Sequence, residues 1–344
     1  MERLPEGLSK RLLAWYAAGH RELPWRQDRE PYHVWLSEIM LQQTRVEAVK
    51  GYYARFLAEL PTIEALAACD PDRLNKLWEG LGYYSRVRNL QKAARVIVED
   101  YGGRFPETYE AVRALPGIGD YTAGAICSIC FELPAPAVDG NVLRVLSRVM
   151  EDEAPVTNQK TKNAYREALL PVYEAGPRGE LTQALMELGA MVCAPNGAPQ
   201  CESCPLRMLC RAYAHGSWQA YPVKEAKKAR KIEEKTVFYL TCGDALAVCK
   251  RPAKGLLAGL WELPNVEGKL EAAQALSFVE KAGCEPAELV KSVERVHIFT
   301  HITWQMRCYY IVCRRKAEAF FWADARRRET DVALPTAFRM FVEE

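Results

Sequence analysis

This 344-residue chain has almost no net charge: 46 Lys and Arg stand against 44 Asp and Glu, leaving +2 with histidine neutral. Binding to a polyanion therefore cannot be argued from the total, and only a basic face hidden inside a neutral sum would serve it. Nor is any segment strongly charged. Residues 1–217 are slightly acidic, 218–235 slightly basic and 236–344 near neutral. The sequence also lacks an uninterrupted apolar run of about 18 residues, and Met1-Glu2-Arg3-Leu4-Pro5 does not open a signal peptide. The expectation is a cytoplasmic protein with no membrane segment, and no internal repeat or low-complexity tract stands out. Cysteine is not scarce. Of 12 cysteines, four crowd between Cys193 and Cys210 while the rest are scattered, often in apolar surroundings such as Ala125-Ile126-Cys127. That clustering favours metal ligation in a reducing compartment over a disulfide framework.

The length suggests roughly two to three domains at the usual 100 to 200 residues each. Residues 1–217 read as almost wholly helical, with apolar periodicity over 32–59 and 86–100 and short Pro and Gly punctuation. Near Tyr221-Pro222 the composition turns to Val223-Lys224-Glu225-Ala226-Lys227-Lys228-Ala229-Arg230-Lys231, a solvated basic connector, so a linker is placed at 218–235. Beyond it, 236–241, 246–250, 295–299 and 303–312 are rich in β-branched and aromatic residues, which predicts a mixed α+β domain over 236–344.

Three local patterns carry chemistry. In Leu115-Pro116-Gly117-Ile118-Gly119-Asp120-Tyr121-Thr122, Gly117 and Gly119 flank one apolar residue before a helical segment, an arrangement that can aim backbone N–H groups at a phosphate. The plain alternative is a Pro-Gly helix connection. Cys193, Cys201, Cys204 and Cys210 enclose seven, two and five residues, a spacing that fits zinc or an iron–sulfur cluster equally well. Third, Glu38 lies four residues after Val34 and three before Leu41, on an apolar helix face. Burial there would raise its pKa and make it a proton donor, unless it forms a buried salt bridge to Arg26 or Arg45. Asp139, in Val138-Asp139-Gly140-Asn141, sits where backbone N–H groups would keep it ionised, and it is also a natural helix N-cap. Together the two carboxyls supply what cleavage of a glycosidic bond needs, an acid and an anion.

These segments together resemble the helix-hairpin-helix DNA glycosylases of the endonuclease III superfamily, and among them the MutY-type adenine DNA glycosylases. The likeness runs through Leu36 to Thr44, Trp78 to Arg86, the Leu-Pro-Gly hairpin, Val138 to Arg144 and the four cysteines, in the family's order. It implies an all-α glycosylase domain with a [4Fe–4S] cluster on Cys193, Cys201, Cys204 and Cys210. It also implies a monomer acting on double-stranded DNA that carries adenine opposite 8-oxoguanine or guanine. By the same resemblance Glu38 protonates the base, Asp139 stabilises the sugar cation, and Tyr121 and Asn141 orient them. Gln43 and Tyr83 enter the base stack, Thr44 contacts 8-oxoguanine, and Trp25, Arg26 and Gln183 line the adenine pocket. Bifunctional relatives carry a lysine where this chain has Tyr121, and a phenol cannot form a Schiff base. The implied product is an abasic site without strand cleavage.

The second domain resembles the Nudix-like domain of the same family through Thr236 to Val248 and Gly255 to Pro264. Residues 268–283 lack the glutamate run of a pyrophosphohydrolase, so recognition without hydrolysis is implied. Phe299, Thr300 and His301 resemble the 8-oxoguanine-reading loop. Two departures stand out: seven residues between Cys193 and Cys201 where the family commonly has six, and Thr300 where serine is common. The rival readings are a bifunctional glycosylase/lyase and a catalytically silent iron–sulfur DNA-binding protein.

Overall fold

The computed structural model describes residues 2–174, 176–225 and 229–343. The chain forms two compact units, one of 1–68 with 89–226 and one of 69–88 with 227–344. Among the described residues twelve α-helices precede the strands, beginning with α1 Leu8–Gly19, α2 Pro31–Leu41, α3 Val46–Glu59, α4 Ile63–Ala68, α5 Pro71–Leu77 and α6 Ser85–Tyr101. The series continues with α7 Tyr109–Ala114, α8 Asp120–Phe131, α9 Gly140–Met150, α10 Gln159–Glu174, α11 Arg178–Met191 and α12 Arg211–Ala214.

Apolar side chains at helical spacing build the first unit. Val142, Val145, Leu146 and Val149 of α9 meet Leu181, Ala184, Leu185 and Leu188 of α11, and Leu8, Leu12 and Tyr16 of α1 close the cluster. Helix α8 packs on α2 and is buried along most of its length. The connection from α8 to α9 also runs close against α8: a Cβ on Gly124 would lie 2.6 Å from the carbonyl oxygen of Pro136.

The apolar stretch over 32–59 is not one helix. It breaks between Leu41 and Val46, where Gln43 takes a left-handed φ of 60°. The pattern 218–235 also departs from a solvated linker. Trp218–Ala220 forms a helical turn, Val156 N–H donates to Val223 O at 3.0 Å, and Lys231–Lys235 already belong to the first strand. Residues 226–228 of that tract lie outside the described residues.

The second unit is a seven-stranded mixed sheet of β1 Lys231–Cys242, β2 Ala245–Lys250, β3 Trp261–Glu262, β4 Asn265–Glu267, β5 Pro286–Ile298, β6 Ile302–Cys313 and β7 Phe321–Ala323. The order β3-β2-β1-β6-β5 pairs β1 with β6 in parallel, and β5 with β6 as a long antiparallel hairpin. Alternation along β1 sends Val237 to one face and Phe238 and Leu240 to the other. The first face packs on Phe338 and Phe341 around α15 Thr336–Arg339, while the second packs on Ala275 and Val279 of α13 Ala272–Lys281. A short α14 spans Ala325–Thr330.

Candidate active site

Helices α2, α8, α9 and α11 and two connecting segments line the cavity that contains Glu38. Helix α2 supplies Glu38, the start of α8 supplies Tyr121, the start of α9 supplies Asp139 and Asn141, and α11 supplies Gln183 and Glu187. The Leu23–Arg26 loop contributes Trp25 and Arg26, and Thr44 from the α2–α3 break reaches the same wall. The void is roughly 800 Å³ with its open mouth included, enough for a nucleoside.

Glu38 is 6% exposed, and the Tyr121 hydroxyl donates to its Oε2. Burial pushes its pKa up to about 7; the Tyr121 hydrogen bond opposes this and the nearby Asp139 charge reinforces it. The buried salt bridge weighed from sequence does not form. Arg26 donates from Nη2 to Glu187 Oε2 at 2.9 Å, and Arg45 is exposed outside the cavity wall. Burial also holds the Tyr121 phenol well above its ordinary value, so it stays a donor.

Asp139 is the N-cap of α9, as its sequence context suggested. Its Oδ1 accepts from Val142 N–H at 2.8 Å, and Asn141 Nδ2 donates to its Oδ2 at 2.7 Å. The expected depression of its pKa is not found. Burial raises it, and the bonds from Val142 and Asn141 offset only part of that cost. Asn141 is itself held by Arg144, whose Nη2 donates to Asn141 Oδ1 at 2.8 Å and to Gly189 O at 2.7 Å.

Glu187 and Arg21 were not singled out from sequence. Glu187 is 1% exposed and accepts from Arg21 Nε at 2.7 Å and from Arg26. Burial opposes its ionisation, yet the two guanidinium groups outweigh burial and bring its pKa down to about 2. Its signal was available: Glu187 follows Gln183 by four residues, on the same helix face. Tyr16 was also missed, and its hydroxyl donates to Gln183 Oε1 at 2.8 Å.

An outer cleft shares Glu38, Tyr121, Asp139 and Asn141 with the cavity and carries Gln43 and Gly119 on its wall. Gly117 turns the hairpin with φ 78°, and a Cβ there would meet the Cβ of Asn89 at 2.5 Å. Tyr83 lies in the other compact unit, where it is 49% exposed at φ 46°. Its ring is therefore not packed in a core. Phe299, Thr300 and His301 form the β5–β6 turn of that same unit, Phe299 edge-on to Trp304 at 4.8 Å and Thr300 and His301 exposed.

Cys193, Cys201, Cys204 and Cys210 line one separate cavity with Leu188, Val192 and Leu206. Arg148 of α9 donates to Cys193 Sγ at 3.2 Å, and Cys210 Sγ–H donates to Arg148 O at 3.5 Å. Among the described residues, no group of three or more Cys, His, Asp or Glu is gathered to hold a single metal ion.

A buried acid that accepts a hydrogen bond from a phenol, beside a second buried carboxyl, suits hydrolysis of an N-glycosyl bond. The hairpin between α7 and α8 makes the class a helix-hairpin-helix base-excision glycosylase. Residues 36–171 match the model of the HhH-GPD superfamily base excision DNA repair proteins, and 236–344 match a NUDIX domain. The adenine DNA glycosylase of Rattus norvegicus is 33% identical, covering 97% of this chain and 78% of that protein. That of Homo sapiens is 37% identical over 87% of this chain and 65% of its own length. A thermostable thymine-DNA glycosylase structure aligns with a TM-score of 0.55 at 31% identity, covering 60% of this chain and 95% of that one. The chain belongs to the adenine DNA glycosylase family.

Proposed function

We propose that this chain excises adenine mispaired with 8-oxoguanine or guanine in duplex DNA during base excision repair, and leaves an abasic site uncleaved. The observation that carries the reading is Glu38, a carboxyl held near neutrality and paired with Tyr121. At pH 7 about half of such a carboxyl is protonated, which suits a general acid. Its proton passes to a ring nitrogen of the adenine as the glycosidic bond breaks. Tyr121 then donates to the carboxylate left behind. Ionised Asp139 faces the oxocarbenium-like sugar, and water completes the substitution. Asn141 and Arg144 act on Asp139 as positioning residues. Trp25, Arg26 and Gln183 wall the space for the flipped base.

Gln43 and Tyr83 suit the role of wedges, since both are exposed and held in left-handed turns. Thr44 reaches the cavity wall, which supports a base contact at that position. Phe299, Thr300 and His301 form an exposed turn suited to reading 8-oxoguanine. Cys193, Cys201, Cys204 and Cys210 fit a [4Fe–4S] cluster: such a cluster takes four thiolates, and these four thiols line one cavity together with Leu188, Val192 and Leu206. A bound cluster would supply four iron–thiolate bonds that pin the loop between α11 and α12.

The test is excision from a duplex with adenine opposite 8-oxoguanine, resolved with and without alkali. Base release with strand breaks only after alkali is expected. Strand cleavage without alkali and a borohydride-trapped covalent complex would favour the bifunctional reading, and no release would favour the silent one.

A further inference from the structure

The outer cleft meets the catalytic cavity at Glu38, Tyr121, Asp139 and Asn141, so a strand that delivers a nucleotide to those carboxyls runs along it. Its charge is not that of the chain as a whole. Asp120 on the wall is already matched by Arg113 at 2.7 Å and Arg166 at 3.6 Å. Arg144, Lys162 and Lys224 on the same wall form no ion pair with a carboxylate among the described residues. Lys162 of α10 is half-buried and Lys224 is exposed.

Lys224 was expected to belong to a free connector, and it does not. Val156 N–H donates to Val223 O at 3.0 Å, and Glu225 N–H donates to Thr157 Oγ1 at 3.4 Å. These two bonds flank Lys224 on the cleft wall, where Pro222 and Lys224 belong to the same lining as Thr157 and Lys162. A chain of near-zero net charge thus concentrates uncompensated cations beside its catalytic opening, which focuses the field on a polyanion.

We infer that residues 222–225, the opening of the interdomain tract, are part of the DNA-binding cleft, and that Lys162 and Lys224 bind backbone phosphates of the strand carrying the target nucleotide. The inference rests on the proposed function in taking DNA as the ligand, and names which residues hold which strand. Each phosphate neutralised releases condensed counterions, and the salt dependence of binding counts them.

The experiment uses the full-length protein and a duplex carrying a tetrahydrofuran abasic analogue, which binds without turnover. Dissociation constants are measured between 50 and 200 mM KCl for the wild type, Lys162→Gln, Lys224→Gln, the double variant and both Lys→Arg forms. Each Gln variant is expected to make the slope of log K against log salt shallower by about 0.9, the double variant by about 1.8, and the Arg forms restore it. Unchanged slopes overturn the inference even if affinity falls, because a structural defect weakens binding without altering the counterion count. A change confined to Lys162→Gln overturns the part assigned to the tract. Adenine release by the wild type is assayed separately: its absence alongside the expected slopes overturns the proposed activity and leaves this inference standing.

Discussion

Glu38 couples reactivity to stability with opposite signs. Its folded-state pKa of about 7 lies above the ordinary 4.5, so the folded state binds the proton more tightly than the unfolded chain does. Its contribution to stability is complete below about pH 4.5, is lost as pH rises through about 7, and leaves a penalty on the order of 3 kcal/mol above that. Glu38→Gln removes this titration. The variant is expected to release no adenine while still binding lesion DNA, and its gain in Tm over the wild type is larger at pH 8 than at pH 5. A Tm difference independent of pH would contradict the burial argument. Excision by the wild type falls as pH rises through about 7, because the acid is lost. The Tyr121 hydrogen bond holds that pKa down, so Tyr121→Phe moves the alkaline limb of the pH–rate profile to higher pH. The same variant lowers the rate at pH 6 by roughly 10- to 100-fold, the value of one hydrogen bond to a charged group. Single-turnover rates between pH 5 and 9 check both effects.

Helices α9 and α11 cross where Gly189 faces Asn141. A Cβ on Gly189 would lie 2.5 Å from the Asn141 Cβ and 3.0 Å from its Cα, so Gly189→Ala forces the two helices apart. Overpacking of this kind costs roughly 1–3 kcal/mol. Because Asn141 holds Asp139 and Arg144 bridges Asn141 to Gly189 O, the displacement reaches the Asp139 carboxylate. The variant is expected to melt several degrees lower and to excise adenine at least 10-fold more slowly; a wild-type rate would show that Asp139 is positioned otherwise. These helices were legible in the sequence, since their apolar residues recur at the helical period and Asp139-Gly140 marks a start. The α2–α3 break was not, because Gln43 takes a left-handed φ that ordinarily favours glycine. The paired carboxyls could be read from their local settings, whereas the Asp139 pKa could not. Its direction depends on how fully the assembled helices exclude water, which no local motif reports.

The second compact unit is assembled from two separated stretches, 69–88 and 227–344. Composition marks boundaries between contiguous segments, so a unit joined across 138 intervening residues (89 to 226) leaves no such mark. Within it, Glu79 Oε1 accepts from Leu334 N–H at 2.7 Å, Lys76 Nζ donates to Val332 O at 3.3 Å and Arg88 Nη1 donates to Ala258 O at 2.8 Å. Tyr83 lies between Glu79 and Arg88 in sequence, so the turn that presents it is tied at both ends to the sheet unit. Truncation after residue 230 removes every strand among the described residues and the partners of all three bonds. Residual excision is expected, because Glu38, Asp139, Tyr121 and Asn141 belong to the first unit. Discrimination between 8-oxoguanine and guanine opposite adenine is expected to weaken, for two separable reasons: the Phe299–His301 turn is gone and Tyr83 has lost its support. Hydrogen exchange separates them. Faster exchange across 69–88 in the truncated protein, reproduced by Glu79→Ala in the full chain with part of the loss in discrimination, assigns that part to Tyr83. Full discrimination after truncation, with 69–88 still protected, would contradict both.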